Sequence, residues 1–211
     1  MSDKFTTLKE VGFEGQFKIQ LDNANLPTSY NPQKLLIPDS EDEQVFNQLS
    51  FIKDEINRFV STGQNLLICS NYVGNGKTHW AISIAYSYLI HASNFSKSNP
   101  VMFINVPLFF YKKKMSMSNP SYVEEVNSIE DRIFKSDLVI FDDISGKGNS
   151  DFEQDSIYCW IESRLMDGKS SIYTSNARPE DMLNFLSPKI WDRIVGLSNV
   201  KILNGGTHRQ R

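Results

Sequence analysis

The sequence predicts an α/β domain, a five-stranded parallel sheet flanked by helices. Three observations predict it: five short runs that are almost continuously apolar, segments of helical spacing between them, and a glycine-containing turn directly after the first run. Runs apolar at nearly every position, rather than at every second one, suit strands covered on both faces. They are Asn65–Cys69, Val101–Ile104, Leu138–Phe141, Ser171–Thr174 and Asn199–Leu203. Between them, Trp80, Ile84 and Tyr88 form one helical row with Ala81, Ala85 and Leu89 beside it. Tyr122, Val126, Ile129 and Ile133 form a second, and Ile157, Ile161 and Leu165 a third. Strands alternating with helices imply parallel pairing with both faces covered.

Upstream, Val45, Leu49, Ile52, Ile56 and Phe59 mark an amphipathic helix over residues 42–60. Residues 1–40 carry Pro27, Pro32 and Pro38 and little periodicity, so they are expected to form an extended arm on a single domain spanning 41–211. A chain of 211 residues, 40% hydrophobic and 22% charged, suits one globular domain. No stretch approaches the ~20 apolar residues of a membrane span, and the start lacks the apolar region of a signal peptide; a cytoplasmic location is expected. Cys69 and Cys159 both sit in apolar runs and are expected to be buried, reduced thiols. With these and His79, His91 and His208 no zinc-ligand spacing can be written. A net charge of −3 excludes a basic footprint over the whole surface, so any nucleic-acid contact must be a local patch.

The first run leads into Asn71-Tyr72-Val73-Gly74-Asn75-Gly76-Lys77-Thr78, which then opens a helix. Glycines allow a tight turn whose backbone N–H groups converge on phosphate oxygens, and the helix start adds its positive end. Lys77 is placed to reach the outer phosphates and the Thr78 hydroxyl to ligate Mg²⁺. The pattern G-x-x-x-x-G-K-[ST] departs at its first position, where Asn71 replaces glycine; asparagine tolerates left-handed backbone angles, which is how the turn is expected to survive. The third run ends in Asp142-Asp143. Acids at the carboxyl end of a parallel strand beside a phosphate loop can hold Mg²⁺ and orient water. Asp142 is assigned to the metal shell through water, and Asp143 to the attacking water. The combination is that of a P-loop NTPase.

From Asn23 to Arg211 the residues resemble the DnaC/DnaI helicase loaders and the related IstB transposition helper ATPases. The likeness is carried by Ala24-Asn-Leu-Pro27-Thr-Ser-Tyr30, Gly76-Lys-Thr-His79, Phe141-Asp-Asp-Ile144, Thr174-Ser-Asn176, Ile190-Trp-Asp-Arg193-Ile194 and Gly206-Thr-His-Arg209, in that order. The resemblance implies an AAA+ ATPase module, bacterial or phage-borne, that acts with a hexameric DnaB-like replicative helicase. It implies that Asn176 serves as sensor 1 near the γ-phosphate, that Arg193 is a finger reaching a neighbouring subunit, and that Arg209 senses phosphate. Residues 72–79, His79 included, would then surround ATP, and subunits would assemble head to tail. No C-terminal helical lid is expected, since only residues 204–211 follow the fifth run. Loaders carry a domain that grips the helicase, whereas only residues 1–22 precede the matching region.

Tyr111-Lys112-Lys113-Lys114 follows Phe109-Phe110 between the second and third runs. Lysines beside aromatics suit single-stranded DNA, by neutralising phosphates and stacking bases; the bland reading is a solvated face. Three rival functions share the fold: a transposition helper, a non-hydrolysing module that binds a replication protein, and a small-molecule kinase. The kinase would need an arginine-bearing lid and an acceptor pocket, which the sequence does not mark.

Overall fold

A computed structural model describes residues 17–34, 36–91, 100–145 and 150–207. All five expected strands form: β1 (Asn65–Cys69), β2 (Val101–Asn105), β3 (Leu138–Asp142), β4 (Ser170–Ser175) and β5 (Ser198–Ile202). They pair in parallel in the order β2-β3-β4-β1-β5. Side chains alternate between two cores, as the pleat requires. Leu66, Ile68, Phe103, Leu138, Ile140 and Ile172 belong to one, Leu67, Met102, Ile104, Val139, Phe141 and Tyr173 to the other.

The first core is closed by α2 (Glu43–Asp54), α3 (Ile56–Ser61) and α4 (Lys77–His91). The single helix expected over 42–60 is two helices, broken at Glu55, whose φ of −93° and ψ of 21° leave the helical region. Helix α4 is apolar on most sides because it lies between the sheet and α2, with Trp80 edge-on to Phe46 at 5.2 Å. The second core is closed by α5 (Val106–Ser116), α6 (Val123–Lys135), α7 (Asp151–Met166) and α9 (Pro188–Val195), with the one-turn α8 (Pro179–Met182) between the last two. Helix α5 has no counterpart among the helical rows read from the sequence. Its start was nevertheless written there: Asn105 accepts from the Leu108 N–H at 3.0 Å as N-cap, and Pro107 sits in the first turn.

Each sheet edge is handled differently. The free edge of β2 is covered by the arm: the Phe103 N–H donates to the Ala24 carbonyl at 2.8 Å and the Asn25 amide to the Phe103 carbonyl at 3.1 Å. Of the arm expected to be extended, residues 17–23 are instead helical (α1). β5, the other edge, is only half-buried rather than enclosed on both faces. The segment after β5 is pinned by acids, Asn204 and Gly205 N–H donating to Asp42 at 2.7 and 2.8 Å and Gly206 N–H to Asp39 at 2.9 Å. Among the described residues no helical lid follows β5.

Cys159 and Arg164 depart from the pattern. Cys69 is buried, and burial pushes its thiol up to about 12. Cys159 is exposed, because α7 turns Ile157, Trp160, Ile161 and Arg164 inward and position 159 falls opposite. Arg164, 1% exposed, donates to the carbonyls of Ile133 (2.7 Å), Ser136 (2.9 Å), Asp137 (3.1 Å) and Ser170, and to the Ser171 hydroxyl (3.0 Å). It ties together the amino ends of β3 and β4. Burial lowers its pKa to about 10, so it still carries its charge at neutral pH.

Candidate active site

The carboxyl ends of β1, β3 and β4 meet at one cleft of about 540 Å³, lined by the loop residues 73–79, the two acids, Thr174 and Asn176. With β4 between β1 and β3, the loop after β1 and the acids after β3 converge above it, the usual place for a ligand in an open parallel sheet.

The turn after β1 is built by its glycines and by its own side chains. Gly74 and Gly76 take φ of 84° and 98°, where a side chain would strain the backbone. Among the described residues only Asn25 and Asp143 are non-glycines with positive φ, so Asn71 does not use the left-handed conformation expected of it. Ser70 braces the loop, its hydroxyl accepting from the Tyr72 N–H at 3.0 Å and the Asn75 amide at 2.6 Å. The Lys77 ammonium, 6% exposed, donates to the Tyr72 carbonyl at 2.7 Å and to Asn75 Oδ1 at 3.2 Å. Those acceptors hold the cation over the loop. Tyr72 is exposed and does not line the cleft, whereas Val73 does.

Asp142 is buried and hydrogen-bonded through both carboxylate oxygens. Its Oδ1 accepts from the Thr78 and Thr174 hydroxyls, each at 2.8 Å, and its Oδ2 from the Asn105 amide at 3.2 Å. Because Thr78 donates its proton to Asp142, its oxygen lone pairs remain available to a ligand. Asp143 follows with φ of 58°, its N–H donating to the Thr174 hydroxyl at 3.0 Å and its carboxylate accepting from the Asn176 amide at 2.8 Å. Burial and the neighbouring Asp142 charge raise the Asp143 pKa, while the Asn176 hydrogen bond and the Lys77 charge act against that rise. A carboxylate so placed is a better proton acceptor than an ordinary one.

Thr174 and Asn105 are the residues whose functions reading the sequence missed. Thr174 lies in the segment Thr174-Ser-Asn176, and its hydroxyl joins both acids. Asn105 sits at a strand end and doubles as helix cap and acid ligand.

The remaining predicted residues divide between the cleft and other parts of the domain. His79 lines the cleft, and its Nε2 lies 2.7 Å from the Lys34 carbonyl, which fastens the arm to α4. Arg193 does not line the cleft; it pairs with Glu162 of α7 and with Asp192, each at 2.8 Å. Arg209 lies outside the described residues. Lys112 and Lys113 on α5 pair with Glu125 and Glu130 of α6 at 2.6 and 2.5 Å, while Tyr111 and Lys114 are exposed. A second cavity of about 530 Å³ between the arm and α5 shares Tyr30, Thr78, Asn105 and Asp142 with the cleft.

Mg²⁺ fits this donor set. It takes hard oxygen ligands and usually binds through one or two protein groups plus phosphates and water. The Thr78 hydroxyl and the Asp142 carboxylate supply hard oxygens, with Asp142, already accepting from three donors, suited to the outer shell. Among the described residues no group of three metal-ligating side chains forms a cage.

No family model matches the chain, and no curated protein matches it in sequence. Solved structures do match. The DnaC helicase loader superposes with a TM-score of 0.63 at 17% identity, covering 84% of this chain and 98% of that one. DnaI gives 0.63 at 18%, covering 85% and 90%. Domain III of the replication initiation protein DnaA from Thermotoga maritima gives 0.66 at 18%, covering 86% and 69%. A replication initiator DnaA bound to AMPPCP and single-stranded DNA gives 0.66 at 14%, covering 86% and 51%. The chain thus shares the fold of these proteins, a five-stranded parallel sheet covered by helices. Among the described residues no helix is long and apolar enough to cross a membrane.

Proposed function

We propose that this chain is an ATPase module that loads a replicative DNA helicase, binding and hydrolysing ATP with Mg²⁺ in the cleft at the carboxyl end of the sheet. The observation that carries the reading is the Thr78–Asp142–Thr174–Asp143–Asn176 chain of hydrogen bonds beside a phosphate loop, set in the fold of the DnaC loader. Loop N–H groups and the start of α4 hold the phosphates. Lys77 exchanges the Tyr72 and Asn75 oxygens for phosphate oxygens. Thr78 and Asp142 hold Mg²⁺, which when bound neutralises charge on the β- and γ-phosphates. Asp143 accepts a proton from the attacking water, and Asn176 keeps that carboxylate oriented.

Completion of the site in this proposal requires a second copy. Arg193 of a neighbour, released from Glu162 and Asp192, would stabilise the transferring phosphoryl group, and head-to-tail contacts of this kind make rings or open spirals. Tyr111 and Lys114 would face single-stranded DNA along such an assembly. Their neighbours Lys112 and Lys113 are already balanced by α6 carboxylates, so each subunit contributes little charge and binding grows with subunit number. The partner is a hexameric DnaB-like helicase.

The test mixes Lys77→Ala and Arg193→Ala proteins, each inactive alone. Recovery of ATP hydrolysis in the mixture supports a shared site; no recovery at any ratio, with co-assembly demonstrated, removes Arg193 from it. Co-purification with the helicase, dependent on ATP, tests the partner.

A further inference from the structure

Asn71 stands where the phosphate-loop pattern has glycine, yet the backbone there does not need one, since the positive φ angles of the loop belong to Gly74 and Gly76. Its side chain has a task that glycine could not perform. Asn71 Oδ1 accepts from the Arg178 N–H at 3.1 Å, joining the loop to the segment that follows β4. One residue earlier, the Ser70 N–H donates to the Ser175 carbonyl at 3.2 Å and so prolongs the β1–β4 pairing one residue beyond β1. Asn71 then adds a further rung with a side chain.

The segment it reaches is the one that organises the acids. Thr174 bonds Asp142 and the Asp143 N–H, Asn176 holds the Asp143 carboxylate, and Arg178 comes two residues later. Arg178 is in turn anchored on its far side, its guanidinium donating to Asn204 Oδ1 at 2.5 Å, while the Asn204 N–H is held by Asp42 at 2.7 Å. The loop carrying Lys77 and the segment carrying Asn176 are therefore fastened to each other and to the body of the domain.

The geometry points to Asn71 as a positioning residue. Its carboxamide fixes the phosphate loop relative to the Asn176 segment, so that the phosphate-holding lysine and the Asp143–Asn176 pair keep one separation. This rests on the nucleotide site proposed above and gives the departure from the glycine pattern a role in it. Restoring glycine removes the acceptor and loosens the chain, so Asn71→Gly should weaken Mg²⁺–ATP binding rather than improve it, by about three- to tenfold, the worth of one hydrogen bond.

A double-mutant cycle isolates the contact. Arg178→Pro deletes the donating N–H and suits the local φ of −72° ahead of Pro179, while Arg178→Ala removes the side chain and keeps the N–H. Asn71→Ala should cost about three- to tenfold in ATP affinity in the Arg178→Ala background and less than about twofold in the Arg178→Pro background. In the unliganded protein, exchange of the Arg178 amide hydrogen should accelerate on Asn71→Ala. Equal losses in both backgrounds, an Asn71→Gly protein that binds ATP as tightly as the parent, or unchanged amide exchange would each overturn the assignment alone. A parent protein that bound no nucleotide would overturn the nucleotide site itself, and this role with it.

Discussion

At the amino end of the β3–β4 pair, Arg164 lies buried with its donors directed at four backbone carbonyls and a serine hydroxyl; at the carboxyl end, Asp142 lies buried with two hydroxyls and an amide directed at it. Both satisfy a buried charge, as a low-dielectric interior demands. They differ in what surrounds them. Most partners of Arg164 are main-chain oxygens fixed by strands and helices, so that end is rigid and complete. The partners of Asp142 are side chains from α4, β2 and β4, able to turn toward a ligand, and beside it Asp143 keeps a left-handed backbone and a repulsion that Asn176 and Lys77 oppose. Strain and repulsion are retained at one end and absent from the other, as expected if the first is a working site and the second a structural joint.

Arg164→Ala should lower stability by about 3–5 kcal/mol, because it strands buried carbonyls, and urea unfolding would show it. Arg164→Lys should recover little, since one ammonium cannot reproduce the planar fork. A loss below about 1 kcal/mol would mean that the carbonyls find other partners. At the other end, Asp142→Ala should cost less, about 1–3 kcal/mol, because Thr78, Thr174 and Asn105 border an open cleft and can be hydrated. The same variant should lose the Mg²⁺ dependence of nucleotide binding, read by titration with and without the ion.

The smallest effect has the opposite sign. Asp143→Asn should raise Tm by about 1–3 °C, since it removes a repelled charge and asparagine tolerates the φ of 58°, while hydrolysis stops. The pH dependence follows from the raised carboxyl pKa. Between the ordinary value of 3.8 and the folded value the folded protein binds more protons than the unfolded one, so acidification through that window stabilises it. The cost of the ionised group is full above the folded value and gone below 3.8. The Tm advantage of Asp143→Asn should therefore be largest at neutral pH and shrink as pH falls. An advantage that grew on acidification would contradict the raised pKa.

What could be read from the sequence follows the same division. Strands β1, β2 and β3 announced themselves because both faces are buried and nearly every position is apolar. Lys77, Thr78, Asp142 and Asp143 could be read because phosphate and metal chemistry restricts the residue types at fixed spacing. Arg164 could not: it sits in a helical row as one charged residue, and nothing local says that its acceptors lie at positions 133, 136, 137 and 170. Thr174 and Asn105 were hidden for a related reason, their function being a contact across the sheet. The Asn71 side chain works across 107 positions of sequence, and its residue type alone suggested backbone tolerance instead. Helix α5 was obscured by its aromatic and lysine run, which drew attention to nucleic acid and away from the Asn105 cap.

We propose the carboxyl end of the sheet as a nucleotide site with Lys77 as its phosphate cation. Calorimetric titration of Mg²⁺–ATP into the parent and into Lys77→Ala tests it most directly, with Arg164 and the fold intact in both. Saturable binding at one site per chain in the parent and its loss in Lys77→Ala is the expected result; equal affinity in the two proteins would contradict it.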